Sequence, residues 1–229
     1  MGTRGTSEGD IPTCIDEHSA VLDGTTVIVF GGFVDGERVN HVHTFDLETH
    51  KWLKIAPADP NAPAPLPRAG HTGSLHEHNL YVFGGKDDEN NKLKDLWRFN
   101  MINRTWTQIE VSNPENVPLE RSGHSAVVHE NYVLIFGGIF EVTKELNDLH
   151  LYDIVNNRWI CLFSDKSEPV TSCSPTKTMA MGSVSPLMRR STMVKDLSPK
   201  GATDGGMKYT DAMMCNLFED KEGAKKLKL

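Results

Sequence analysis

The sequence predicts an all-β fold of three four-stranded antiparallel blades of the propeller type, followed by a disordered C-terminal tail. Three observations predict it. A short apolar strand ends in paired glycines three times, at Val27–Gly32, Leu80–Gly85 and Val133–Gly138, so the second glycine recurs every 53 residues. A period in that range signals stacked supersecondary units. An aromatic column (Phe45, Phe99, Tyr152) and a tryptophan column (Trp52, Trp106, Trp159) recur in the same order.

Each unit opens on a histidine (His18, His71, His124) before a first strand. A polar turn follows, with Asp23-Gly24 carrying the clearest hairpin chemistry. The second strand ends in Gly31-Gly32, Gly84-Gly85 or Gly137-Gly138. Paired glycines suit a chain that leaves its sheet close to other backbone. A charged loop leads to the third strand, which ends at Asp46, Asn100 or Asp153. An acidic or amide side chain there can bond its own turn backbone. The tryptophan then opens the fourth strand and is expected to be buried, since large aromatics dominate buried area.

These columns divide the chain. Residues 1–17 read as a disordered lead-in, and residues 18–163 hold three repeats (18–70, 71–123 and 124–163). Residues 164–229 read as a basic tail rich in Ser, Thr and Met, with a short helix expected at 210–221. Charge supports the boundary: residues 1–163 carry net −10 and residues 164–229 net +3. The formal net charge of −7 argues against nucleic-acid binding. Four scattered cysteines without a CxxC pair argue against a zinc site or disulfide framework and for reduced thiols in a cytoplasmic protein. No apolar run is long enough to span a membrane and no signal-peptide region opens the chain. Met1-Gly2-Thr3-Arg4-Gly5-Thr6 does match the N-myristoylation pattern.

Apolar strand, Gly-Gly, aromatic, Asp/Asn turn, Trp and then Arg-x-x-His together resemble the Kelch repeat, over residues 18–163. The arginine–histidine element stands as Arg68…His71 and Arg121…His124; in the first unit Ile15 takes the arginine position. The resemblance implies a scaffold or adaptor that binds a protein partner. It also implies two alternatives: the substrate-recognition subunit of a ubiquitin ligase, and a Kelch-type metal-dependent enzyme. No BTB-like helical region precedes the blades. The enzyme reading fares poorly on the residues. The spacing Glu-x-x-x-Asp-x-x-x-His is absent, no ligand set surrounds Tyr81 or Tyr152, and neither a nucleophile elbow nor a phosphate loop occurs. No catalytic residue, metal or cofactor is expected. His18, His71 and His124 are expected to repeat one structural hydrogen bond. His41 and His43 are expected to project to opposite faces of their strand, so that they could not chelate together.

Function is expected in the loops, because binding concentrates in loops on a rigid scaffold. The loop after the glycines and the connection between blades should share one end of the structure. Phe33, Arg38, Arg68, Asp87, Asp88, Arg121, Phe140 and Lys144 are the candidate contacts with a protein partner. In the tail, Ser174, Ser185 and Ser198 precede proline and Ser191 follows Arg189-Arg190, so these four are candidate phosphosites.

Closure is the remaining expectation. Propellers use four to eight blades, and three leave an apolar face open at each end of the arc. Self-association into a six-bladed ring, blades from a different protein, or a longer chain would each cover those faces.

Overall fold

The computed structural model describes residues 7–164, and these form an all-β structure with one short 3-10 turn at Pro114–Asn116. The first blade contains β1 (Glu8–Gly9), β2 (Ser19–Asp23), β3 (Thr26–Phe30), β4 (Phe33–Val34), β5 (Glu37–Arg38), β6 (Val42–Asp46) and β7 (Lys51–Ile55). The second contains β8 (Thr72–His76), β9 (Asn79–Phe83), β10 (Leu96–Asn100) and β11 (Thr105–Gln108). The third contains β12 (Ser125–His129), β13 (Tyr132–Phe136), β14 (Ile139–Phe140), β15 (Lys144–Glu145), β16 (Leu149–Asp153) and β17 (Arg158–Phe163). The strand orders β2-β3-β6-β7, β8-β9-β10-β11 and β12-β13-β16-β17 are antiparallel and equivalent. The four-stranded blades stand as the sequence predicts.

Successive residues of a strand point to opposite faces, and here both faces are apolar because neighbouring blades pack on both. Ile28, Phe30 and Val42 on the exit face of blade one meet Leu80, Val82, Trp97, Phe99 and Trp106 on the entry face of blade two. One repeat later, Tyr81, Phe83 and Leu96 meet Val133, Ile135, Tyr152 and Trp159. This explains why the glycine-pair strands read as unbroken apolar runs rather than as alternating ones. The exit face of blade three has no such cover among the described residues. Phe136 is 48 % exposed, where its equivalents Phe30 and Phe83 are buried.

Local chemistry holds the corners as expected. Asp46 Oδ1 accepts the NH groups of Glu48 and Thr49, Asn100 Oδ1 those of Ile102 and Asn103, and Asp153 Oδ1 that of Asn156. Gly84 shows why the glycine column is strict. Its φ is +64°, and a Cβ there would lie 2.8 Å from the Arg121 carbonyl oxygen.

Two expectations change. Within the lead-in, residues 8–9 form a strand, β1, that pairs in parallel with β7. Glu8 NH donates to the His50 carbonyl and Asp10 NH to that of Trp52. The outer edge of β7 offers unpaired backbone groups that a composition-based reading of residues 1–17 does not register. In blade three the connection before the blade takes this role: the Asn113 side chain accepts Trp159 NH and donates to its carbonyl. The second change concerns Trp52, which is half-buried where Trp106 and Trp159 are buried, because no blade among the described residues covers its face. The expected helix at 210–221 and the tail beyond residue 164 lie outside the described residues.

Candidate partner-binding face

The loops after the glycine pairs and the ends of the inter-blade connections do meet at one end of each blade. Arg68 NH donates to the Val39 carbonyl at the end of the first loop, and Arg121 NH to that of Leu93 at the end of the second. Two of these loops, 33–38 and 139–145, are small ribbons, β4 with β5 and β14 with β15.

Arg68 and Arg121 correct the sequence reading. Both were candidate contacts, yet both side chains are fully buried. Arg68 forks onto Asp95, Nη1 and Nη2 each 2.8 Å from a carboxylate oxygen, while Nη1 also reaches the Gly84 carbonyl and Nε that of Leu66. Arg121 repeats every bond at the same spacing, with Asp148, Gly137 and Leu119. Burial by itself would raise both carboxyl pKa values. The guanidinium hydrogen bonds and charge outweigh it, helped by the Trp97 indole at Asp95 and by His150 at Asp148, and hold both below the usual range. These arginines staple the connection between blades to the glycine turn and have no surface to offer a partner. Asp95 and Asp148 were missed, although each follows its arginine by 27 residues.

Among the other candidates Asp88 is exposed, whereas the Arg38 side chain is only 8% exposed and acts as a brace between loops. Arg38, from blade one, crosses to the loop of blade two: its Nη2 donates to Asn90 Oδ1 at 2.6 Å and its backbone NH to Asp88 Oδ1 at 3.1 Å. Its guanidinium also lies over the Phe33 ring, 5.6 Å from the centroid. Phe33, Arg38 and Asp88 thus form one patch that spans two blades. On blade three, Lys144 Nζ lies 5.9 Å from the centroid of Phe140, forming a separate aromatic–cation pair. Asp87 belongs to the loop interior instead, since its carboxylate accepts the NH groups of Glu89 and Asn91 and the Asn91 amide.

The histidines divide. His71 Nε2 lies 3.1 Å from the Phe30 carbonyl and 2.9 Å from Ser19 Oγ, while His124 Nε2 lies 2.8 Å from Thr72 Oγ1. A proton on Nε2 of His71 lets it donate to the carbonyl. Burial and the neighbouring arginine lower the pKa of each to about 3, so both rings are neutral. His18 holds the same column but is exposed, because its acceptor would belong to a preceding blade. His41 and His43 also depart from expectation. Residues two apart on a strand share a face, and their ring centroids are 6.1 Å apart beside a cavity of about 260 Å³ that Ile11, Ile15 and Lys54 help line. Burial, and then Lys54 for His41 and His41 itself for His43, push both pKa values down. No group of three potential metal ligands occurs among the described residues. No helix among them is long and apolar enough to cross a membrane. Ser174, Ser185, Ser191 and Ser198 lie outside the described residues.

Repeated four-stranded blades locked by buried Arg–Asp forks, with loops gathered at one end, define a β-propeller-type repeat scaffold. Residues 3–185 match the KLHDC2/KLHL20/DRC7 Kelch-repeats domain. The chain belongs to that Kelch-repeat family. It is 32% identical over 163 residues to Kelch domain-containing protein 3 of Bos taurus, covering 66% of this chain and 42% of that protein. Over 172 residues it is 31% identical to host cell factor 2 of Homo sapiens, covering 66% of this chain and 21% of that protein. Over 145 residues it is 30% identical to the Rho GTPase-activating protein gacHH of Dictyostelium discoideum, 62% of this chain and 9% of that protein. The chain thus spans less than half the length of each of these relatives.

Proposed function

We propose that this chain is a cytoplasmic, non-catalytic interaction module that holds a protein partner on the loop face built by Phe33, Arg38, Asp88, Phe140 and Lys144. The observation that carries the reading is the bridge from Arg38 to Asp88 and Asn90, which ties loops of adjacent blades into one preset surface. A preset surface avoids the ordering cost of mobile loops on binding. The patch offers the Phe33 ring and the exposed Asp88 carboxylate side by side, held in place by the Arg38 guanidinium, whose side chain is 8% exposed, and aromatic anchors dominate protein interfaces. Free thiols at Cys14 and Cys161 suit a reducing compartment.

The test is affinity capture from the native cell, followed by calorimetry with the purified partner. Phe33→Ala combined with Asp88→Lys should weaken binding at least about tenfold, roughly 1.4 kcal/mol, without changing Tm. Unchanged affinity in a folded variant rules the loop face out as the binding site.

A further inference from the structure

We propose that the open exit face of blade three receives the entry segment of a second copy of this chain, and that the reciprocal contact closes two three-blade arcs into one ring. This goes beyond the loop-face reading and concerns a different surface. Three series of contacts, each stepping by one repeat, end at that face.

The first series is main chain to main chain. Gly70 NH donates to the Glu17 carbonyl at 2.9 Å, and Gly123 NH to that of Gly70 at 2.8 Å. The next acceptor in phase is the Gly123 carbonyl, and the donor position of the series falls in this chain on Glu17. Glu17 has a φ of +49°, close to the +65° of Gly70 and +67° of Gly123. A non-glycine residue held in that region is uncommon, and here it gives the entry segment the shape that docks in the other two blades. In the second series Gly32 NH reaches the Arg68 carbonyl and Gly85 NH that of Arg121, both at 2.8 Å. Gly138 NH comes next, with the Ile15 carbonyl of the second copy as its acceptor. The third series is the histidine column. His71 reaches Ser19 and His124 reaches Thr72, which leaves Ser125 as the next hydroxyl and His18 as the imidazole in phase. Ser125 and His18 are both exposed.

The space is there as well. A Cβ on Gly31 or Gly84 would strike the following blade at His71 or His124 and at an arginine carbonyl, whereas one on Gly137 would meet only the Leu146 carbonyl. A cavity of about 430 Å³ opens at this point, bordered by Gly123, Ser125, Phe136, Gly137 and Gly138. Residues 165–229 contain no histidine, so they cannot supply the imidazole of the third series. A second copy supplies it as His18, next to a Glu17 backbone that already has the docking conformation. Face-to-face packing of entry on exit is a heterologous contact, which closes into a ring when the rotation permits. Rings of four to eight blades include only one multiple of three, so two copies close the ring.

One rim position opposes assembly and sharpens the test. Arg38 of β5 pairs with Asp88 across the seam between blades one and two. Glu145 holds the position of Arg38, since it faces the residue after the glycine pair just as Arg38 does. At the proposed seam it approaches Asp35 of the second copy, which follows Gly32 as Asp88 follows Gly85. Two acidic groups at an exposed rim repel and are screened by salt, so added salt should tighten the association.

The experiment is sedimentation equilibrium and light scattering on the full 229-residue chain. At micromolar concentrations the mass should be twice 25.5 kDa. Phe136→Asp and His18→Ala should each raise the dimer Kd at least about tenfold with little change in monomer folding, because both side chains are exposed. Glu145→Arg should lower the Kd and reverse its salt dependence. A monomer at these concentrations overturns the proposal, whether Phe136→Asp lowers its Tm, which assigns the cover to residues 165–229, or leaves it unchanged. An open series of larger species overturns it too, as does a dimer insensitive to all three substitutions.

Discussion

Ile15 and His41 occupy in the first blade the two positions that hold the Arg68–Asp95 and Arg121–Asp148 ion pairs in the others, and both border one cavity. Ile15 precedes Arg68 by one repeat, and the His41 carbonyl accepts Gly31 NH as those of Asp95 and Asp148 accept Gly84 and Gly137 NH. The pair is replaced at both ends at once. A buried charge without its partner is strongly destabilising, whereas loss of both charges is tolerated.

That comparison makes Arg121→Ala the severe single change. It strands the buried Asp148 carboxylate and should cost on the order of 3–5 kcal/mol, read as a shift in urea midpoint. Arg121→Met with Asp148→Leu should recover most of that loss. If the double variant is no more stable than the single one, the charge explanation is wrong.

The tryptophan column should respond unevenly. Trp106, packed on Phe30 and Phe99 at centroid distances of 5.0 and 4.8 Å, should lose about 3–5 kcal/mol on truncation to alanine. Trp52 keeps part of its surface in water, so Trp52→Ala should cost less than half as much. Equal losses in Tm for the two variants would contradict the burial difference.

Acid should destabilise the blades before the carboxylates titrate. His71 and His124 have folded pKa values of about 3 against an ordinary 6.5. The unfolded chain therefore binds more protons between those values. Stability is fully present above about pH 6.5 and falls toward pH 3, by about 1.4 kcal/mol per pH unit for each ring. His71→Gln should flatten the slope of stability against pH in that window, as measured by chemical denaturation at a series of pH values.

Gly84→Val should abolish folding, since it combines φ +64° with a Cβ 2.8 Å from the Arg121 carbonyl oxygen. Gly24, at a turn with φ +57° but open space around it, should accept alanine while still folding, at a cost of about 1–2 kcal/mol. Circular dichroism of the two variants separates a packing constraint from a turn preference.

Strand, turn and repeat were legible in the chain because each depends on neighbours in sequence. The 53-residue columns, the apolar runs before the glycines and the Asp or Asn corners act within a few residues of themselves. What long-range contact decides was not legible. Arg68 looks like any polar loop residue until the fold brings Asp95, 27 residues later, to its guanidinium and removes water from both. His18, His71 and His124 are identical in the sequence, yet among the described residues only the latter two bond a preceding blade. The short strand at Glu8–Gly9 exists because β7 presents an open edge, a feature of the assembled sheet and not of residues 1–17. Residue type and period determined which positions form the blades. Tertiary packing decided which of those side chains are locked inside and which remain on the surface, because burial depends on the distant partner that arrives.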